Sequence, residues 1–312
     1  MYRMSKRHMI YNMSANNLPV MRVENGSTLV FETCDCFEDQ ITSVDTPFSA
    51  LDWNRINPAT GPVYIEGAEP GDTLSVKIQS IKVGGDGVMV TGPGMGVLGD
   101  ELKENSIRII PVRDDKAIFS DGIELKVNPM IGVIGVAPAS ETIPCGEPGM
   151  HGGNMDCKII TEGTTVHLPV NVPGALLAIG DLHAVMGDGE VSVCGVEVAG
   201  EVTVQVDVIN GQGWPLPLVT TEDAVYTIAS EKLLDDAARV AACNMVNVLE
   251  GYGLSPQEAI HLMSAAGDLQ ICQVVDPLKT ARFKMPKSIL EIVKAEAAKN
   301  HKLDIRLLSA VE

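Results

Sequence analysis

The sequence predicts an α+β protein that is predominantly antiparallel β, in sandwich-like or barrel-like layers, with a smaller helical C-terminal part. Short alternating or apolar runs continue to about residue 220, and Gly, Pro and Asp interrupt them at a spacing of roughly ten residues. From residue 221 the apolar spacing becomes helical. Aromatic residues make up only 4% of the chain, so branched aliphatic side chains must build the core, and these favour strands.

Eight segments carry the strand pattern. Valine at every second position from Val202 to Val208 is typical of a half-buried strand, and glycine-rich turns at 84–87, 187–189 and 210–213 separate the runs. The predicted strands lie within TLVFETCDCF (28–37), TLSVKIQSIKV (73–83), GVMVTG (87–92), SIRIIPV (106–112), MIGVIGVAP (130–138), CKIITEG (157–163), TTVHLPVNV (164–172) and EVSVCGVEVAGEVTVQVDVI (190–209).

Three helices are predicted after these strands. The first extends from a cap at Thr220 or Thr221 to Gly251. The second, SPQEAIHLMSAAG, opens with a capping-box sequence and has proline at its first helical position. The third, PKSILEIVKAEAAKN, begins at Pro286.

The length and charge of the chain limit its organisation and its partners. A chain of 312 residues forms one large domain or two closely packed ones. We expect a β-rich body at 1–220 and a helical part at 221–312, packed together as one unit. The 41 acidic and 23 basic residues give a formal charge of −18, which disfavours binding to nucleic acid and to anionic membranes.

Cysteine usage and the opening segment predict a cytoplasmic protein. The seven cysteines are an odd number without a secreted-domain spacing, so reduced thiols are expected. Residues 1–19 are basic and polar and lack the apolar stretch of a signal peptide. The chain also has no uncharged apolar run of the ~18 residues that a membrane helix needs.

The segment GDLHAVMGDGE is the strongest candidate for chemistry. Asp181 and His183 are two residues apart, so both side chains point to one face of a strand, where imidazole and carboxylate suit zinc or a harder divalent ion. The following turn brings back Glu190, which shares that face if Val185 pairs with it and points away if Met186 does. The alternative is an ordinary Asp-Gly turn with surface carboxylates and a chance histidine.

The segment HGGNMD is the second candidate. It follows a long stretch rich in glycine and proline, and long ordered loops are often functional. Gly152 and Gly153 allow the backbone to approach a small ligand closely, and Asn154 and Asp156 again lie two residues apart. The alternative is a tight turn closed by an Asx hydrogen bond.

A third candidate is Asp35, which follows the apolar strand TLVFET. The alternation turns it inward, so either backbone donors satisfy its carboxylate or it binds a cation. Asp268 and Asp276, after the second helix, are expected to be structural. Nucleophilic serine or cysteine chemistry is poorly supported, because no GxSxG sequence occurs and Cys145 has no paired base nearby in the sequence.

Three motifs together, NPATGPVYIEGAEPGD, HGGNMD and GDLHAVMGDGE, resemble the acetamidase/formamidase family in their order and spacing. The resemblance extends from about Asp35 to Asp276. It implies hydrolysis of a short aliphatic amide to a carboxylate and ammonia, a β-rich fold, a divalent metal ion at the site, and a homo-oligomer, either a dimer or a trimer. The metal is expected to be zinc, with calcium or another divalent ion as the alternative.

The resemblance also implies site residues, carried over to the matching positions: Asp35, His151, Asn154, Asp156, Asp181, His183 and Glu190. We assign the metal to Asp35, Asp181 and His183, with Asp156 as a possible further ligand, and the proton shuttle to Glu190. His151, Asn154 and Asp156 complete the catalytic set, in which the Asn154 amide or the N–H groups of Gly152 and Gly153 hold the developing oxyanion. Two other functions stay open: a non-catalytic, metal-dependent binding protein, and hydrolysis of another C–N bond such as a cyclic imide.

Overall fold

The structure is a computed structural model that describes residues 1–211 and 213–299. One position of the predicted 210–213 turn, Gln212, lies outside the described residues. The same is true of residues 300–312, which include the end of the third predicted helix and of the predicted C-terminal part.

Twenty-two strands account for most of the regular structure. In chain order the first eleven are β1 (Tyr2–Met4), β2 (Met9–Ile10), β3 (Asn12–Ser14), β4 (Met21–Val23), β5 (Thr28–Thr33), β6 (Ala59–Ile65), β7 (Thr73–Val83), β8 (Gly85–Thr91), β9 (Ser106–Arg113), β10 (Lys116–Ser120) and β11 (Ile123–Lys126). The others are β12 (Met130–Gly135), β13 (Thr142–Pro144), β14 (Gly152–Asn154), β15 (Thr165–Pro169), β16 (Leu177–His183), β17 (Glu197–Val198), β18 (Gly200–Ile209), β19 (Leu218–Thr220), β20 (Ala224–Glu231), β21 (Asp268–Gln273) and β22 (Lys279–Pro286).

These strands form two large sheets and one small one. The first large sheet has the order β1-β5-β18-β7-β15-β19-β20-β22-β21. The second has the order β11-β10-β9-β8-β17-β16-β12-β14, with β6 also paired to β16 and with β2 and β4 paired to β6. β3 and β13 form the small sheet. Among the described strand pairs, only β1–β5 and β4–β6 are parallel, which confirms the predicted antiparallel character.

The two large sheets share one apolar core. Phe31 and Val76 of the first sheet and Ile131 and Ile179 of the second are fully buried members of the same cluster. Burial of branched side chains between the two sheets is the main source of stability in such a layered arrangement. The layers are therefore sandwich-like, as the sequence predicts.

Three α-helices follow in the C-terminal part: α1 (Leu234–Gly251), α2 (Pro256–Ala266) and α3 (Lys287–Lys299). Short 3₁₀ turns lie at Phe48–Ala50, Trp53–Arg55 and Gly99–Glu101. The helices form a second apolar core in which Met245 and Leu249 of α1 join Val225 and Phe283 of the first sheet. None of the described helices is long and apolar enough to cross a membrane.

The predicted first helix is wrong over its first half. Residues Ala224–Glu231 form β20, and the helix begins only at Leu234. The segment AVYTIA is buried on both faces and pairs with β22, a situation that favours valine, tyrosine and isoleucine in strands over helix formation. The prediction that all helices follow all strands also fails, since β21 and β22 lie between α2 and α3.

The other helix starts are confirmed. Ser255 caps α2 in a reciprocal capping box with Glu258, and Pro256 is its first residue. α3 begins at Lys287, directly after Pro286. Strands on both sides of residue 220 pair within one sheet, because β19 is bonded to β20. The division of the chain at that residue stays a prediction.

Candidate active site

Asp181 and His183 meet at the end of β16, in the middle of the second sheet. The Nε2 atom of His183 lies 3.4 Å from Oδ1 of Asp181, and both side chains are almost completely buried. The other carboxylate oxygen of Asp181 accepts a hydrogen bond of 3.3 Å from Nδ2 of Asn57. The imidazole and one carboxylate therefore form the nucleus of a polar site inside an apolar sheet.

Glu197 is the neighbour that the sequence analysis missed. It faces His183 in the β16–β17 ladder, and its Oε1 atom lies 3.2 Å from Nε2 of His183 while accepting a hydrogen bond from the N–H of Gly195. The pattern does not single it out, because alternation along the predicted strand places Glu197 with Glu201 and Gln205 on the more polar face.

Glu190 reaches the same imidazole by another route than the predicted hairpin. Neither register, with Val185 or with Met186 opposite Glu190, forms, because β16 ends at His183 and pairs with β17. The Oε1 atom of Glu190 nevertheless lies 3.9 Å from Nε2 of His183. The residue before Glu190, Gly189, bridges instead to β21.

The HGGNMD segment supplies a fourth carboxylate. Its first part is β14, which pairs with β12 and leads to Asp156, whose Oδ1 atom lies 3.7 Å from Nε2 of His183. Nδ2 of Asn154 donates a 3.0 Å hydrogen bond to Oδ2 of Asp276, a residue that we expected to be structural. Only the packing of the β21–β22 loop brings Asp276 here, and nothing in the local sequence indicates it.

Two further candidates lie at the edge of this cluster. His151 is buried, and its Nε2 atom has no hydrogen-bond partner. The ring packs so closely against Gly153 that a Cβ added there would lie 2.9 Å from Nε2 of His151. Asp35 is also buried, and its Oδ1 atom accepts the N–H groups of Phe37 and Asp39 at 2.9 and 2.8 Å. Backbone donors thus satisfy one oxygen of Asp35, and its role as a ligand stays a prediction.

Burial and mutual repulsion hold several of these carboxyl groups towards the protonated form. Burial raises the pKa of Asp156 well above its ordinary value, and Asp276 raises it further. Burial and the carboxylate of Asp156 do the same to the pKa of Glu190. Burial, partly opposed by His183, raises the pKa of Glu197 to about 7. Burial is the largest cause of each of these shifts, and repulsion between neighbouring carboxylates adds to it.

The pKa of the His183 imidazole is also raised, but here the protonated form is the charged one. Burial lowers the pKa of His183, but the nearby Glu197 and Asp181 outweigh it and raise that pKa well above its usual range. Burial likewise tends to raise the pKa of Asp181, yet contact with His183 lowers it overall. His151 has no such partners, and burial lowers its pKa to about 4, so that it is neutral at pH 7.

Buried polar atoms without hydrogen-bond partners converge on His183. They include Nε2 of His183 itself, and the others are Oδ1 of Asp156, Oδ1 of Asp181, Oε2 of Glu190 and Oε2 of Glu197. Two groups of side chains have ligand atoms within 4.8 Å of one another: Asp156, His183 and Glu190, and Cys36, Asp181 and Glu197. Unpaired buried polar groups are rare in folded proteins, and imidazole, carboxylate and thiolate are ligands of zinc and related ions.

The backbone is strained at three of these positions. Asp156, Asp181 and Glu190 have positive φ angles of 42°, 54° and 48°, which non-glycine residues seldom adopt outside functional sites. Gly132 on β12 provides the space for two of their side chains, because an added Cβ would lie 2.5 Å from Oδ1 of Asp156 and 2.6 Å from Oδ2 of Asp181.

A cavity of about 640 Å³ opens onto the cluster. Asn154, Asp181, Glu190, Glu197 and Asp276 line its floor, whereas Phe37, Trp53, Ile56, Val90, Met95 and Val193 contribute apolar wall. A mainly apolar pocket with a few converging polar groups is the usual form of a small-molecule site. Two of the three strained carboxylates, those of Asp181 and Glu190, therefore lie where a small ligand can reach them.

Comparison with known proteins identifies this arrangement. The sequence matches the profile of the acetamidase/formamidase family over residues 4–144 and 139–217. It is 29% identical to a putative formamidase of Schizosaccharomyces pombe over 60% of this chain and 61% of that protein, so the aligned region spans about three fifths of that relative. It is 26% identical to the formamidase of Methylophilus methylotrophus over 90% of this chain and 89% of that one.

A solved structure gives the same result over the whole fold. The chain is similar to the acetamidase of Bacillus halodurans with a TM-score of 0.92 and 49% identity, over 93% of this chain and 99% of that one. The profile, the relatives and the fold agree with the three motifs that carry the resemblance. The chain belongs to the acetamidase/formamidase family, and thus to the amide hydrolases.

Proposed function

We propose that the chain hydrolyses a short aliphatic amide, of the formamide or acetamide type, to a carboxylate and ammonia with the help of a divalent cation. The observation that carries the proposal is the approach of four carboxylates to the unpaired Nε2 atom of His183, where the nearest oxygens of Asp156 and Asp181 are themselves unpaired. The names of the relatives, formamidase and acetamidase, support the substrate class.

The residues present fit a divalent cation. Asp156, Asp181, Glu190 and Glu197 surround a single imidazole, so ionisation of all four carboxyl groups leaves an excess of negative charge even when His183 is protonated. A cation balances that charge and pairs the orphaned oxygens. We propose that Asp181 and His183 hold it, with Asp156 or Glu197 completing the set, and zinc is our first choice because a histidine, carboxylates and the nearby Cys36 thiol suit it.

A divalent cation supplies what amide hydrolysis needs, because it polarises the carbonyl oxygen and lowers the pKa of a water molecule to about 7. The chain must then move a proton from the attacking water to the leaving nitrogen, which departs only when protonated. Glu190 is suited to this proton transfer, because it lines the cavity and its Oε2 atom is unpaired. Burial also raises its pKa, which makes its carboxylate a stronger base.

Other residues orient the substrate. The Asn154 amide lines the cavity with its Oδ1 atom unpaired, and we propose that its NH₂ group helps to hold the developing oxyanion. The N–H of Gly152 is less suitable, because it already donates to the carbonyl of Gly149 at 3.1 Å. His151, neutral and buried, fixes the glycine turn on which Asn154 stands.

Ammonia release from formamide, acetamide and propionamide, together with ring opening of a cyclic imide to its half-amide, tests the proposal. We expect ammonia release from the linear amides that chelation abolishes and added zinc restores. Ring opening of the imide without ammonia release from any linear amide would favour the alternative C–N hydrolase, and metal binding without hydrolysis of any substrate would favour the binding protein. Linear-amide hydrolysis that survives complete removal of metal would contradict the role of the cation.

We further propose a homo-oligomer, a dimer or a trimer, and a cytoplasmic location. The family resemblance supports the first, and light scattering of the purified protein measures it. The seven unpaired cysteines, six of them buried, support the second, because such thiols persist in reducing compartments.

A further inference from the structure

Glu190 rests on the C-terminal hairpin β21–β22 through the backbone of Gly189. The N–H of Gly189 donates to the carbonyl of Cys272 at 2.8 Å, and the N–H of Val274 donates back to the carbonyl of Gly189 at 3.2 Å. Gly189 and Gln273 thus form an isolated parallel bridge. A segment of the β-rich body that carries a candidate catalytic group is therefore held by the C-terminal part of the chain.

An ion pair between a buried arginine and a partly exposed aspartate reinforces the same contact one residue earlier. Arg282 of β22 is only 2% exposed, and its Nη1 and Nη2 atoms donate to the two carboxylate oxygens of Asp188 at 2.9 and 2.8 Å. Its Nε atom donates to Gln270 at 2.7 Å, so the guanidinium is fixed from two sides. A bidentate pair of this kind fixes direction as well as distance.

The same hairpin sets the position of Asp276. The side chain of Gln273, fully buried, accepts the N–H groups of Val275 and Asp276 at 2.9 and 3.0 Å. Its amide group donates to the carbonyl of Leu278 at 2.7 Å and to Thr280 at 3.0 Å. One glutamine thereby holds both sides of the loop whose carboxylate bonds Asn154.

We propose that Arg282 and Gln273 are positioning residues of the active site, which fix Glu190 and Asp276 from the β21–β22 hairpin. This inference rests on the proposed function of the site. A purely structural role does not require this ion pair, because pairs with a solvent-exposed partner contribute little to stability. A carboxylate displaced by about 1 Å, by contrast, costs roughly 10²-fold in turnover.

The test replaces Arg282 and compares turnover with the Michaelis constant. In Arg282→Met we expect kcat per bound metal to fall by roughly 10- to 100-fold with KM changed by less than about twofold, since the substrate still binds but the shuttle is misplaced. Arg282→Lys, which keeps the charge but only one of the two contacts, should recover part of kcat. Lys158→Met is the matched control, because Lys158 also lies 3.0 Å from Asp188 but is exposed, and it should leave kcat unchanged.

Hydrogen exchange provides a readout that does not depend on activity. In Arg282→Met the amides of Gly189 and Val274 should exchange faster, while those of β18 should not change. If Arg282→Met does not fold, Asp188→Asn replaces it at a partly exposed position, and we expect a fall in kcat of roughly tenfold with the same local change in exchange. A folded variant with wild-type kcat and wild-type exchange at Gly189 would overturn the inference. A wild-type protein that hydrolyses none of the amides would overturn the proposed function instead. The exchange data would then still show whether Arg282 holds Gly189 in place.

Discussion

Glu197 lies directly opposite His183 in the β16–β17 ladder, with its Oε1 atom 3.2 Å from Nε2 of the imidazole. The pair is buried on the sheet face that carries Asp181, so any charge on one partner acts strongly on the other. Such a pair makes the stability of the metal-free protein depend on pH.

The first prediction concerns Glu197→Gln. The pKa of Glu197 rises from 4.5 to about 7 on folding, mainly through burial. A carboxyl group with a raised pKa contributes stability that is fully present below its unfolded pKa of 4.5 and is lost as the pH rises through about 7. Chelator-treated wild-type protein should therefore melt at a lower temperature at about pH 8 than at about pH 6, and Glu197→Gln should reduce that difference. Equal differences in the two proteins would show that Glu197 does not titrate in this range.

A second prediction concerns the proton shuttle. Glu190→Gln removes the proton acceptor and keeps the size of the side chain, so turnover should fall by roughly 10²–10⁴-fold with metal still bound. Turnover and metal content are measured on the same preparation. Loss of metal together with turnover would make Glu190 a ligand. If neither quantity changes, Glu190 takes no part in catalysis or metal binding, and Asp156 becomes the next candidate for the proton shuttle.

Gly132 should be irreplaceable for a steric reason. In Gly132→Ala the new Cβ would lie 2.5 Å from Oδ1 of Asp156 and 2.6 Å from Oδ2 of Asp181, so at least one of these carboxylates must move. We expect bound metal to decrease and kcat/KM to fall by roughly 10²-fold. Gly84→Ala is the control, since its Cβ would meet no atom within 4 Å. Wild-type activity in Gly132→Ala would show that the two carboxylates tolerate displacement.

The thiols should be dispensable. Burial raises the pKa of Cys145 to about 12, so its sulfur is a neutral thiol, and it points to the carbonyl of Ile10 at 3.5 Å rather than to a base. Cys145→Ser should keep amidase activity within about twofold, because it contributes no nucleophile. Near-complete loss of ammonia release in a variant with a wild-type melting temperature would instead indicate a cysteine mechanism.

Sequence periodicity predicts the parts of the fold and site that depend on neighbours in the chain. The spacing of Asp181 and His183 indicates that they share one face, and in the structure they meet. The motif around Ser255 predicts the start of α2, since capping is local. The helical prediction for residues 224–231 fails for a long-range reason. Their strand conformation depends on pairing with β22, which lies far along the chain.

Long-range packing explains what the sequence does not indicate. Glu190 approaches His183 although the predicted hairpin does not form, because Gly189 is bonded to β21. Asp276 joins the site only through the loop that Gln273 shapes. The local sequence leaves open whether backbone donors or a cation satisfy the carboxylate of Asp35. In the structure the N–H groups of Phe37 and Asp39 satisfy at least one of its oxygens.

The central claim is that His183 holds a divalent cation on which amide hydrolysis depends. Metal stoichiometry, measured on the same samples as ammonia release from acetamide and formamide, tests it most directly in wild type and His183→Ala. His167→Ala is the matched control, since His167 is also buried but lies beside Thr220, away from the carboxylates. We predict that His183→Ala loses metal and activity together while folded His167→Ala keeps both. A His183→Ala protein with wild-type metal content and wild-type ammonia release would contradict the claim.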